Sequence, residues 1–339
     1  MDFLKPLFNS ELNTEGDITV AGLTFERCKI LAELDPISYD IKFNEWLEER
    51  KSRLIEKAET ILTLYDNADR FEQLKRSFES GNLKPFIGAG MSVASGFPGW
   101  TSFLYKLCNE SHVKIDDLEM LINKGHYEEA TQLIYDDLGG PLFNENLESA
   151  FLRTCEFAGP IQYLPLLFPK SFIVTTNFDN IIESLFIDNN NGFDLVTSGV
   201  SINEVLRNIA SGSRSLIKLH GDCRIVANRV LIKSEYDVHY ADHGLVKKFF
   251  DRVLFGSSFL FLGCSLRFDR TIKTMIEIVN ENGANSLPRH YAFLSLDETE
   301  DRVARKKDLA QANIFPIWYP NDDHDESVEA LLIKLKEDQ

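Results

Sequence analysis

The sequence predicts an α/β protein built on a doubly wound parallel sheet, and three observations predict it. The apolar run Pro85-Phe86-Ile87 ends in Gly88-Ala89-Gly90, the pattern of a buried strand entering a tight turn. From residue 170 onward, short apolar runs alternate with helical patterns, as in strand–helix units whose parallel sheet is covered on both faces. Three of those later runs, Phe172-Ile173-Val174, Leu216-Ile217-Lys218 and Phe259-Leu260-Phe261-Leu262, each end in a polar cluster. In a parallel sheet such ends share one edge, where ligands bind.

Taken in order, residues 1–40 carry a weak pattern. Residues 41–80 read as helix, with Phe43, Trp46, Leu47, Leu54, Ile55 and Ile61 to Leu64 at helical spacing among charged residues. That segment is expected to pack as an N-terminal helical extension, residues 1–80. A strand at 84–88 opens the second unit, residues 81–339. Helices broken by Gly125, Gly139-Gly140-Pro141 and Gly159-Pro160 fill an insert at about 100–168. Strands are then predicted at 170–175, 194–197, 215–219, 258–263, 289–294 and 313–318. The matching helices are predicted at 179–187, 201–209, 244–255, 269–281, 297–311 and 325–337, the last capped by the loop Asn321-Asp322-Asp323.

Composition narrows the function classes. The 339 residues are 44% hydrophobic, ample for a large core. No apolar run approaches the ~20 residues of a membrane span, so no membrane contact is expected. The start, Met1-Asp2-Phe3-Leu4-Lys5-Pro6, does not read as a secretion signal, and a cytoplasmic location is expected. The net charge of −17 opposes direct nucleic-acid binding. Cys28, Cys108, Cys155, Cys223 and Cys264 are scattered without a CxxC pair, so neither a zinc ribbon nor a disulfide framework is expected.

The glycine turn itself suggests a phosphate site. Glycine lets backbone N–H groups approach a phosphate, and a helix starting near Gly99 to Ser102 adds its positive end. This is the logic of a dinucleotide site without the usual GxGxxG spacing.

The ordered set Gly88-Ala89-Gly90-x-Ser92-x-x-Ser95-Gly96-x-Pro98, Thr175-x-Asn177-x-Asp179, His220-Gly221 and Gly263-x-Ser265 resembles the sirtuin family. More closely it resembles the sirtuin-type NADase domains of bacterial anti-phage defence, over about residues 80–320. The resemblance implies a Rossmann-like fold, NAD as substrate and no metal. It implies His220 as the catalytic base and Asn177 as the amide that binds a ribose hydroxyl or orients water. An imidazole suits the first role because it titrates near neutrality. Gly88, Ala89, Gly90 and Ser92 are expected to cradle the pyrophosphate. Trp100 is expected to screen the reacting carbon, Gly263 and Ser265 to hold the adenosine ribose or a phosphate oxygen, and Thr176 to complete the cofactor site. Asp179 is expected at the nicotinamide amide, or as the N-cap of the helix that follows it.

The chain also departs from the deacetylases. Pro98-Gly99-Trp100-Thr101 stands where they carry Pro-x-Phe-Arg, and their zinc cysteines have no counterpart. The expectation is therefore NAD hydrolysis to nicotinamide and ADP-ribose by a toxic effector. It would be gated by oligomerisation or by a separately encoded sensor, a ring ATPase or an Argonaute-like protein. The alternative is a non-catalytic NAD or nucleotide sensor. A deacylase or ADP-ribosyltransferase ranks behind both. His239 and His243, four apart, suit one helix face and are expected to lie on a helix surface rather than to hold a metal. Glu235-Tyr236-Asp237 is expected to cap that helix.

Overall fold

A computed structural model describes residues 1–199, 209, 212–241, 244–267, 270–297 and 299–337. The chain begins with α1 (Lys5–Asn13), β1 (Ile18–Val20), β2 (Leu23–Phe25), α2 (Arg27–Leu34), α3 (Pro36–Leu62) and α4 (Asn67–Glu79). β1 and β2 form an antiparallel hairpin that the sequence pattern did not announce. Its turn holds Ala21 at φ 51° and Gly22 at φ 81°. Alanine occupies a left-handed position where asparagine or glycine would have given the signal.

β3 (Leu83–Ile87) is the first strand of the main sheet. After it come α5 (Gly90–Val93) and then, over the segment read as a helical insert at about 100–168, α6 (Trp100–Asn109), α7 (Ile115–Asn123), α8 (Tyr127–Leu138), α9 (Gly140–Phe151) and α10 (Leu164–Leu167). Then come β4 (Ile173–Thr175), α11 (Ile181–Asp188), β5 (Leu195–Ser198), β6 (Ser215–Lys218), α12 (Lys233–His239) and α13 (Leu245–Val253). The chain continues through β7 (Ser258–Leu262), α14 (Arg270–Asn282), β8 (His290–Leu296), α15 (Arg302–Gln311), β9 (Ile314–Pro320) and α16 (His324–Lys336). The helix expected at 201–209 lies outside the described residues.

The sheet runs β5-β6-β4-β3-β7-β8-β9, with every pairing parallel. β3 lies centrally. The chain first builds outward through β4 to one side, then returns to build through β7 on the other. That reversal makes the carboxyl ends of β3 and β7 the switch point, where open α/β sheets leave a crevice. The register brings the ends level: Ile87 pairs with both Thr175 and Leu262, and Thr175 pairs with Lys218.

Side chains alternate between two buried layers, as a doubly covered sheet requires. Ile87, Ile173, Leu216, Leu260 and Leu262 enter one core, and Phe86, Val174, Ile217, Phe259 and Phe261 the other. α3 and α4 contribute Leu54, Ala58, Ile61, Phe71 and Leu74 to the first of these cores. Arg50 of α3 pairs with Glu329 of α16 in a nearly buried setting. Asn67 of α4 stitches to β9, donating to the Trp318 carbonyl and accepting from the Trp318 N–H. Leu4, Phe8, Tyr39 and Phe43 form a separate small cluster at the amino-terminal end.

Two helix starts differ from the sequence reading. Before α15, Asp297 accepts from Thr299, and Asp301 then caps the helix by accepting from Val303 and Ala304. Asp323 stands at the N-cap of α16 without a capping bond from its side chain. Its carboxylate meets Lys57 Nζ of α3 at 3.1 Å.

Candidate active site

The polar clusters after β3, β4, β6 and β7 all line one cleft of about 1190 Å³ at the carboxyl edge. Gly88, Ala89, Gly90, Trp100, Thr176, Asn177, Asp179, His220, Gly263 and Ser265 all border it. The insert forms one wall through the α7–α8 connection and the start of α8.

The two glycine turns interlock. Gly88 N–H donates to Leu262 O at 2.9 Å and Gly90 N–H to Gly263 O at 3.0 Å. A Cβ on Gly88 would lie 2.5 Å from Gly263 O, and one on Gly263 (φ +66°) 2.4 Å from Met91 N. These glycines let two backbones touch. The Gly88 and Gly90 amides are committed within the fold, so in the Gly88-Ala89-Gly90 turn the amide of Ala89 is the one without a protein acceptor among the described residues. Ser92 is buried and does not border the cleft; its hydroxyl accepts from Asn177 Nδ2 at 3.2 Å.

Asn177 is held from two directions. Thr175 Oγ1 donates to Ile87 O at 2.8 Å and receives Asn177 N–H at 3.0 Å, tying β4 to β3 just where the turn begins. Ser92 takes the side-chain amide nitrogen. The remaining atom, Asn177 Oδ1, is buried without a partner. A buried acceptor left unmade costs free energy that a ligand donor would recover. Asp179 is also buried; its carboxylate accepts from Ile181 N–H at 3.2 Å at the start of α11. Burial raises its pKa, opposed by the charge of Lys218.

Beneath this turn lies a buried cation that the sequence reading missed. Lys218 Nζ donates to Asp179 O at 2.7 Å, Glu183 Oε1 at 2.8 Å and Asp222 Oδ2 at 3.1 Å. Arg224 grips Asp222 with two further bonds of 2.8 Å. The ammonium thereby clamps the Asn177–Asp179 turn to the His220–Asp222 turn. Asp222 is held well below the usual carboxylate range by Arg224 and Lys218, against the opposing effect of burial. The signal was available in outline: a lysine closing an otherwise apolar run must find partners where it is buried.

His220 sits at the end of the same edge, 8% exposed. Burial, with a smaller contribution from nearby His239, pushes its pKa down to about 3, so the imidazole is neutral and, contrary to the expectation from sequence, does not titrate near neutrality. Tyr240 Oη lies 2.6 Å from Nε2 and Tyr236 Oη 3.2 Å from Nδ1. Both tyrosines border the cleft, and the sequence reading gave neither a role at the site. Their i, i+4 spacing on α12 and its continuation was the available signal. Glu235 does cap this helix, accepting from Leu231 N–H at 2.8 Å and Ile232 N–H at 3.1 Å. His239 is not on a helix surface: it is buried and its Nε2 lies 3.0 Å from Leu219 O, because that face of α12 packs on the end of β6. His243 lies outside the described residues. Among the described residues no cluster of three His, Cys, Asp or Glu side chains could hold a metal.

Aromatic rings line the cleft near Asn177. Trp100 stands 5.5 Å from Phe178 and 5.3 Å from Phe103, and Phe178 stands 6.4 Å from the His220 ring. At the far end Arg305 donates to the Ser265 carbonyl, fixing that turn. The Cys264 thiol is turned toward the Phe86 and Leu262 carbonyls.

Fold and cleft together define an open parallel α/β protein with a ligand site at its switch point, the architecture of dinucleotide binding. The family model of the SIR2-like domain matches residues 171–317 of this chain. It is 24% identical over 220 residues to defense-associated sirtuin 2 of Bacillus subtilis, covering 62% of this chain and 21% of that protein. It is 25% identical over 248 residues to the NAD(+) hydrolase ThsA of Cytobacillus dafuensis, covering 69% of this chain and 45% of that one. The ThsA of Bacillus cereus strain MSX-D12 is 23% identical over 226 residues, covering 64% of this chain and 44% of that protein. The chain thus spans between about a fifth and under half the length of these relatives. Among the described residues no helix is long and apolar enough to cross a membrane.

Proposed function

We propose that the cleft hydrolyses NAD⁺ to nicotinamide and ADP-ribose, and that the protein serves as a defence effector whose activity depletes NAD. The observation that carries the reading is the unpartnered, buried Oδ1 of Asn177, sharing one cleft with a neutral imidazole. A ribose hydroxyl or a water is the kind of donor that atom lacks. The NAD(+) hydrolase activity for which the ThsA relatives are named supports the same reading.

The chemistry asks little of the protein beyond placement. The C1′–nitrogen bond of NAD⁺ breaks with its electron pair moving onto the nicotinamide ring, which neutralises the pyridinium without an acid. The developing cation on the ribose resembles an oxocarbenium ion. Water adds to C1′ and one proton leaves to a base. Asn177 Oδ1 orients the donor, His220 takes up the proton, and Trp100 and Phe178 wall the site against bulk water. The Ala89 amide and the Ser265 turn face the remainder of the dinucleotide.

Gating by self-assembly or by a separately encoded sensor belongs to the same proposal, since an ungated NADase would kill its own cell. A second reading, a nucleotide sensor without turnover, has one observation in its favour: both ring nitrogens of His220 are taken by tyrosine hydroxyls. Nicotinamide release from NAD⁺, followed by chromatography with and without candidate partner proteins, separates the two. Turnover lost in His220→Ala and Asn177→Ala is expected. Tight NAD⁺ binding with no product under any activating condition would leave the sensor reading.

A further inference from the structure

Both nitrogens of the His220 imidazole are occupied, yet the two contacts differ. The contact at Nε2 is short, 2.6 Å, and Tyr240 Oη lies in turn 3.3 Å from Thr271 Oγ1 on α14. The contact at Nδ1 is longer, 3.2 Å, and comes from Tyr236. The two phenol rings are stacked at 5.7 Å, and Arg270 lies over the Tyr236 ring. A neutral imidazole carries one N–H and one lone pair, so one tyrosine must accept and the other donate. A substrate reaches a ring nitrogen only by replacing a hydroxyl.

We propose that Tyr240, anchored by Thr271, is the positioning residue that keeps the proton of His220 on Nε2, and that Tyr236 is a stand-in donor at Nδ1 which the substrate hydroxyl displaces. This rests on the hydrolase reading for its substrate but not for its wiring. In the wiring, Nε2–H donates to Tyr240 Oη, Tyr240 donates to Thr271 Oγ1, and Tyr236 donates to the Nδ1 lone pair. An incoming ribose hydroxyl or water then replaces one O–H donor by another at the same lone pair, so the imidazole needs neither a new tautomer nor a rotation. The stronger, tethered contact stays and the weaker one exchanges. Orientation of a working histidine through its second nitrogen is a general device.

The test pairs a spectroscopic readout with kinetics. Protein labelled with ¹⁵N-histidine reports the His220 tautomer by long-range ¹H–¹⁵N correlation, with His220→Ala assigning the signal. The expected result is an Nε2–H tautomer in the wild type, lost or mixed in Tyr240→Phe and retained in Tyr236→Phe. In nicotinamide release, Tyr240→Phe is expected to lower kcat at least about tenfold, and Tyr236→Phe to lower the KM for NAD⁺. Thr271→Val, which keeps the shape of the side chain, is expected to move the tautomer in the same direction as Tyr240→Phe, and it stands in if Tyr240→Phe misfolds. An Nδ1–H tautomer in the wild type, or the same tautomer with and without the Tyr240 hydroxyl, overturns the proposal. If NAD⁺ is not turned over at all, the hydrolase reading fails while the tautomer result still decides the wiring.

Discussion

The two corners of the cleft are built on different physical principles. At the β3–β7 switch point the site is backbone: Gly88, Gly90 and Gly263 let two turns touch, and any side chain there would collide with a peptide group. At the β4–β6 corner it is side chains: Lys218 locks two turns from below, Ser92 sets Asn177, and two tyrosines hold His220. The first corner supplies shape and the second supplies chemistry. Substitutions at the first should therefore act mainly on stability and those at the second mainly on turnover.

The largest effect tests that division. His220→Ala is expected to lower NAD⁺ turnover by about 10²- to 10⁴-fold while the melting temperature moves by less than about 4 °C. Asn177→Ala is expected to behave alike. Unfolding of either variant would make the side-chain corner structural and end the comparison.

Lys218→Met sits between the two classes. It leaves Glu183 and Asp222 without their buried cation, which costs about 3–5 kcal/mol when one partner of such a pair is removed. The urea midpoint should fall, and turnover with it, because the turns that bear Asn177 and His220 are both tied to the ammonium. An unaltered midpoint would show that the clamp is idle.

Gly88→Ala is expected to lower stability by about 1–3 kcal/mol through the clash with Gly263 O. Well below its melting temperature it should keep more turnover than His220→Ala. Loss of turnover at unchanged stability would reverse the roles of the corners.

A separate effect, on stability alone, is in pH. His220, His239 and His290 are all buried with pKa values pushed down, to about 3, about 4 and about 3. Unfolded histidines titrate near 6.5. Between these values the unfolded chain binds more protons than the native one, so stability falls as pH drops below about 6.5, by at most about 1.4 kcal/mol per pH unit for each histidine. Melting temperatures measured from pH 8 to pH 5 should decline only below that point. A flat profile would mean that these imidazoles are hydrated in solution.

The legible parts of the site were those whose residue type has few alternative uses. Glycines at the end of a buried strand announce a backbone approach, and His220, Asn177 and Asp179 each follow an apolar run on which a parallel sheet would place them at one edge. The level register of β3, β4, β6 and β7 then brings them to one cleft. Ser92 was legible as part of the motif but not in its place: it turns to Asn177 rather than toward the cleft, because the α5 turn packs against the turn after β4. Tyr236, Tyr240 and Lys218 were not legible as a group. A tyrosine pair on an amphipathic helix, or a lysine at a strand end, has many ordinary uses. His239 was misplaced for the same reason, since helical spacing gives a face but not what that face meets.

The amino-acid order by itself determined the alternation of strands and helices, the glycine turns and the set of polar residues beyond the strand ends. These follow from local rules of periodicity and backbone freedom. Only the tertiary structure decided which nitrogen of His220 meets which tyrosine, which atom of Asn177 is left without a partner, and which acids surround Lys218. Those are contacts between segments distant along the chain, and their geometry is set by strand register and helix packing, which no local pattern encodes.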